Sequence, residues 1–107
     1  MKLLPRAEEL ILLAILRLKD NAYSIPIREN LCELTGENWS LGSIYMPLDR
    51  LVKKKFIDSY LSETTPERGG RHKRIYRLKP EGLKRLQKIR EIESRSWVGI
   101  PDELEET

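Results

Sequence analysis

The period of the hydrophobic positions changes along the chain, and each change marks an element. Residues Ala7 to Lys19 contain no breaker and predict a first helix, with Pro5 near its start where a missing N–H is harmless. The middle of this helix, LILLAIL, is apolar on nearly every side. A helix on the rim of one small domain needs a single apolar stripe, so this one is expected to be buried from two sides, the second supplied by another subunit. After a turn at Asp20, Asn21 and Ala22, the spacing of Ile25, Ile27, Leu31, Cys32 and Leu34 predicts an amphipathic second helix that starts near Ser24 and stops at Gly36. Ser40 then caps a third helix, carried by Leu41, Ile44, Tyr45, Leu48, Leu51 and Val52 as far as Phe56.

Beyond Phe56 the period falls to two. Ile57 to Leu61 and His72 to Leu78 alternate as strands, and the polar stretch between them, with Pro66 and the pair Gly69 and Gly70, predicts a hairpin with a long tip. Pro80 opens a last helix in which Leu83, Leu86, Ile89 and Ile92 recur every third residue, so its apolar stripe drifts and covers a wide arc. The whole is mainly α with a small β-hairpin, in the order of a winged helix-turn-helix domain with a C-terminal dimerisation helix. The expected division is 1–79 for the winged domain, 80–98 for the dimerisation helix and 99–107 for an acidic, mobile tail.

Composition narrows the classes. A chain of 107 residues has room for one domain whose buried fraction is modest, which a partner subunit would raise. The net charge is only +3, but Asp102, Glu103, Glu105 and Glu106 crowd the end, and without those four negatives the rest carries +7. One cysteine excludes an internal disulfide, and one histidine leaves no set for a structural zinc, so no metal or cofactor is expected. The longest apolar run, Leu10 to Leu16, is too short to span a bilayer, and the N-terminus does not look like a signal peptide. The expected location is cytoplasmic, without a membrane partner. No nucleophile triad, paired acids or phosphate loop points to an enzyme.

Cations fall where a duplex would meet them. The third helix presents small and hydrogen-bonding residues early, Gly42 and Ser43, and cations later, Arg50, Lys53 and Lys54, while helical geometry turns Ser43, Met46, Pro47, Arg50 and Lys54 away from its apolar set. Its first-turn N–H groups, beginning at Ser40, suit a phosphate. From Arg71 to Lys79 there are five cations (Arg71, Lys73, Arg74, Arg77 and Lys79) and no acid, a run that repels itself unless an anion is present.

The segment LGSIYMPLDRLVKKKFI followed by ERGGRHKRIYRLKPEG resembles the recognition helix and wing of PadR-family transcriptional regulators, with similarity from about Leu10 to Leu86. A Tyr in the helix, an Arg-Leu five residues later, a Gly-Gly wing and Y-R-L-x-x-x-G recur together in that family. The resemblance implies double-stranded DNA as partner and a dimeric repressor, with Tyr45 and the helix start near Ser43 touching DNA. It also implies that Arg71, Lys73 and Arg74, with Arg68, Gly69 and Gly70 at the tip, follow the backbone or minor groove. Dimerisation through the last helix against the partner's first helix is implied too, which places Leu10, Leu13, Leu86, Ile89, Ile92 and Trp97 in the seam. Some relatives hold small planar aromatic effectors between subunits, an alternative use for Trp97. The chain departs from the family at Lys55-Phe56, where a small residue or glycine is usual, and at Pro47, which is expected to distort the helix.

The remaining residues have simpler roles. His72 reads as a polar surface residue, Cys32 as a small buried hydrophobe, and Trp39 as a buttress for the third helix. Two rival functions use the same fold: a protein-interaction module, and an architectural protein that coats DNA without reading bases.

Overall fold

In the computed structural model, which describes residues 2–63 and 72–101, helix α1 (Arg6–Leu18) packs against every other helix and the second strand. The residues Arg68, Gly69, Gly70 and Arg71 and the acids of the tail lie outside the described residues. The all-round apolarity of α1 has a structural reason: Ile11, Leu12, Ala14 and Ile15 are buried in the core, while Leu13 is half-buried and Leu16 exposed. Each fully buried Ile or Leu contributes about 1.5–3 kcal/mol. The helix stops at Leu18, and a 3₁₀ turn, Lys19–Asn21, replaces the expected simple turn.

Helix α2 (Ser24–Thr35) sends Ile27 and Leu31 into the core and ends at Gly36, whose φ of 73° is the left-handed cap the sequence suggests. Ile25 and Leu34 were expected on the apolar stripe, yet both are about half exposed, and Cys32 is only partly buried. The stripe of α2 is therefore narrower than its spacing implies. Trp39, expected as a buttress for the third helix, makes its hydrogen bonds with α2: its backbone N–H donates to Cys32 Sγ, its indole N–H to Thr35 Oγ1 at 2.9 Å, and its carbonyl accepts from Arg28.

Helix α3 (Leu41–Lys53) begins where Ser40 Oγ accepts the Ser43 N–H at 3.1 Å. Ile44, Pro47, Leu48 and Leu51 are buried. Pro47 thus faces the core rather than the outer side, and the helix runs through it without a break. The helix stops at Lys53, short of the expected Phe56, because Lys55 takes φ 65°, a left-handed conformation that L residues avoid. This is the position where the resemblance expects a small residue or glycine.

Strands β1 (Ile57–Leu61) and β2 (Arg74–Leu78) pair antiparallel from Ile57 with Leu78 to Leu61 with Arg74. The second strand starts two residues later than its alternation suggests, since His72 and Lys73 instead fold onto Ser62: the Lys73 N–H donates to Ser62 Oγ at 2.9 Å, and the Ser62 N–H to the Lys73 carbonyl at 2.8 Å. The Tyr76 N–H donates to the Ala22 carbonyl at 2.8 Å and ties the hairpin to the turn between α1 and α2.

Helix α4 (Pro80–Ser96) leaves the hairpin at a close approach. The Lys79 N–H donates to the Phe56 carbonyl at 2.9 Å, and a Cβ on Gly82 would sit 2.3 Å from that same oxygen and 2.8 Å from Leu78 Cδ1. Gly82 is the last residue of the Y-R-L-x-x-x-G motif, and its requirement is spatial. Among the described residues no helix is long and apolar enough to cross a membrane.

These two backbone sites predict opposite outcomes in urea denaturation. Gly82→Ala forces α4 off the base of the hairpin and is expected to destabilise by about 1–3 kcal/mol. Lys55→Gly relieves the left-handed residue and is expected to stabilise by up to about 1 kcal/mol.

Candidate nucleic-acid interface

Burial of Ile44, Pro47, Leu48 and Leu51 fixes the roll of α3. The side opposite this set presents Gly42, Met46, Asp49 and Lys53, all exposed, with Ser43 and Arg50 on one flank and Leu41, Tyr45 and Val52 on the other. Met46 stands on the centre line at 67% exposure. Gly42, one turn earlier, would place an added Cβ in open space but for Ser40 Oγ at 3.9 Å. The start of the helix is therefore thin enough to come close to another surface.

The Tyr45 flank meets the hairpin. Tyr45, Met46, Asp49 and Val52 line a cleft whose other wall is Ser59, Arg74 and Tyr76. A second, adjoining hollow brings Tyr23, Ser24 and Ile25 at the start of α2 together with Tyr45, His72, Lys73 and Arg74. Arg74 is held by Ser59 Oγ at 3.0 Å, and Lys73 lies over the Tyr23 ring, 4.6 Å from its centroid. Burial pushes the Tyr76 hydroxyl above its ordinary pKa, although Arg74 opposes the shift. The structure thus brings Tyr45 and Met46 of α3 and the wing-base residues Lys73 and Arg74 onto one continuous surface, and leaves Ser40, Gly42 and Ser43 outside these hollows.

The other flank holds a group the sequence reading missed. Glu8 of α1 is fully buried, and its carboxylate accepts from Arg50 Nε at 3.1 Å and from Lys54 Nζ at 2.6 Å. An ionised carboxylate taken out of water requires this kind of pairing. Arg50 and Lys54 are consequently committed to an intramolecular partner rather than free on the outer face. The signal was present, because Glu8 shares a helical face with Ile11, Leu12 and Ile15 and so had to point inward.

The other cations divide in the same way. Lys53 pairs with Asp49 at 3.4 Å, and Arg77 with Asp58 at 3.3 Å while lying over Tyr60. Among the described residues, Lys73 and Arg74 have no carboxylate within ion-pair distance. His72 lies against the Ser62 carbonyl, where it helps shape the wing base. No group of His, Cys, Asp and Glu among the described residues is arranged to hold a metal ion.

The expected dimer residues lie elsewhere on the surface. Leu13, Leu16, Leu83, Leu86 and Ile89 line a groove between α1 and α4. Leu86 is mostly covered by its own chain and Leu10 is partly buried against the core, whereas Trp97 at the end of α4 is 55% exposed. Ile92 faces a smaller hollow with Leu3, Leu4 and Ile89.

Three helices, a two-stranded hairpin beside the third of them, and a long helix after the hairpin define a winged helix-turn-helix protein. Residues 12–88 match the model of the transcriptional regulator PadR-like family, and the chain belongs to that family of transcriptional regulators. A PadR family transcription regulator from Clostridium difficile is 30% identical, with a TM-score of 0.64 over 90% of this chain and 91% of that one. A transcriptional regulator from Clostridium thermocellum is 27% identical, with a TM-score of 0.66 over 86% of this chain and 84% of that one. A PadR-like transcriptional regulator from Bacillus cereus is 27% identical, with a TM-score of 0.65 over 84% of this chain and 79% of that one. Among curated protein sequences there is no significant match.

The ion cluster at Glu8 generates a stability prediction. Glu8→Gln removes the charge that Arg50 and Lys54 face and leaves the helices in place. It is expected to lower unfolding free energy by about 1–3 kcal/mol in urea titration, with the far-UV circular dichroism of the native state unchanged.

Proposed function

We propose that this protein is a cytoplasmic homodimer that binds double-stranded DNA sequence-specifically and represses transcription. In this reading α3 enters the major groove through Ser40, Gly42, Ser43, Tyr45 and Met46. Lys73 and Arg74 follow the flanking backbone, joined by Arg68, Gly69, Gly70 and Arg71 in the minor groove. The observation that carries it is the surface that Tyr45 and Met46 of α3 share with the wing base, where Lys73 and Arg74 have no carboxylate partner among the described residues. Arg50 and Lys54 take a reduced role, since Glu8 already holds them; Lys53, at the far end of the outer face, suits a phosphate.

The dimer rests on the groove between α1 and α4, where Leu16 and Leu83 are more than a third exposed. An apolar groove of this kind, on a chain this small, gains from being covered by a second copy. The seam takes Leu10, Leu13, Ile89, Ile92 and Trp97, with the exposed edge of Leu86. Residues 80–98 are the dimerisation helix in this assignment and 1–79 the DNA-binding unit, with 99–107 outside both. Titrating small aromatic compounds against Trp97 fluorescence separates a seam role for this residue from an effector-binding one.

Fluorescence anisotropy with duplex from the gene's own upstream region and with scrambled duplex, over a salt series, tests the DNA-binding reading. The upstream duplex is expected to bind more tightly. Replacing Lys73 and Arg74 together by Ala removes four cations from the dimer and should reduce the slope of log affinity against log salt by about 3.6, equally for all sequences. Ser43→Ala should instead narrow the gap between upstream and scrambled duplex. A uniform loss from Ser43→Ala would overturn the major-groove placement.

The assembly has its own check. Sedimentation equilibrium is expected to give a dimer for the wild type and a monomer for Leu16→Glu combined with Ile89→Glu, since two carboxylates in an apolar seam are not tolerated. A wild-type monomer at micromolar concentration would exclude the seam.

A further inference from the structure

The outer face of α3 carries an unusual reader for a surface meant to meet DNA. Its most exposed large apolar side chain is Met46, a thioether at 67% exposure, aimed away from the core. The cations that would give bidentate contacts to guanine are elsewhere engaged: Arg50 and Lys54 with the buried Glu8, and Lys53 with Asp49. Gly42, one turn before Met46 on the same line, leaves open space that lets the helix approach a groove floor closely. The major groove offers only one apolar group to such a side chain, the 5-methyl of thymine. The flexible, polarisable methionine chain fits that contact well.

We propose that Met46 is a specificity-determining residue that reads a thymine methyl in each half-site, and that operator choice by this protein depends on thymine methyl groups more than on guanine edges. The inference rests on the DNA-binding reading above. Asp49, beside Met46 on the outer face, supports it by opposing a close phosphate and by accepting only from a base amine such as that of cytosine. The recognised half-site therefore pairs a thymine under Met46 with a neighbour that suits a carboxylate.

The test uses the full chain and a duplex selected by it from a randomised double-stranded library. Each thymine of the selected duplex is replaced in turn by deoxyuridine, which removes the methyl group and keeps the base pair. At one thymine per half-site the wild type is expected to lose about fourfold in affinity, the worth of one buried carbon group, and about fifteenfold when both half-sites are changed. Met46→Gln, at an exposed position, should fold normally, bind more weakly, and be indifferent to the same deoxyuridine replacements. A deoxyuridine effect that survives unchanged in Met46→Gln would overturn the assignment to Met46. No effect at any thymine in the wild type would overturn the methyl readout. Selection that enriches no duplex, with equal binding to every sequence, would overturn both this inference and the sequence-specific reading on which it stands.

Discussion

A carboxylate with no exposed surface sits where α1 meets α3, and the arrangement of the outer face of α3 follows from it. The buried carboxylate of Glu8 is met there by two cations, Arg50 of α3 and Lys54 just after it. Both come from the same flank of α3, one helical turn apart, so the pairing fixes the roll of that helix about its axis as firmly as the buried Ile44, Leu48 and Leu51 do. Once the roll is set, Gly42, Met46, Asp49 and Lys53 are the residues left facing outward. Hydrophobic packing alone specifies direction loosely, since apolar contacts are non-directional. Two hydrogen-bonded ion pairs to one carboxylate specify it to within the reach of the side chains.

Much of the architecture is legible in the chain because each element has a distinct period or cap. Gly36 takes the left-handed conformation that ends α2, Ser40 caps α3 through its hydroxyl, and β1 has the limits that its alternation gives. The errors have physical causes. Pro47 was grouped with the outward residues by helical geometry, but it lies three residues after Ile44 and four before Leu51, on their side of the helix, and it is buried with them. Tyr45 satisfies apolar spacing, yet it is half exposed at the wall of a cleft. Spacing places a residue on a side of a helix and does not say whether a neighbouring element covers that side.

The candidate site was legible in composition and less so in electrostatics. The cation-rich run from Arg71 to Lys79 is visible as charge, but which of its members remain unpaired depends on cross-strand neighbours: Arg77 faces Asp58 across the hairpin, whereas Arg74 meets Ser59. The commitment of Arg50 and Lys54 depends on a residue more than forty positions earlier in the chain. Charge counting sees cations, and only the fold shows which have partners. The glycine-preferring position before β1 gives the reverse case: Lys55 departs from the family pattern, yet it adopts the backbone conformation that explains the pattern.

The contact between Gly82 and the Phe56 carbonyl makes α4 and the hairpin parts of one lever. There is no room for a side chain between them, and the Lys79 N–H bonds to the same oxygen, so neither can turn without the other. In the dimer proposed above, the angle between subunits would set where each wing lies along a bound duplex. A change in the subunit angle would then move both wings together and change the distance between the two places they touch DNA, without any rearrangement inside either winged domain.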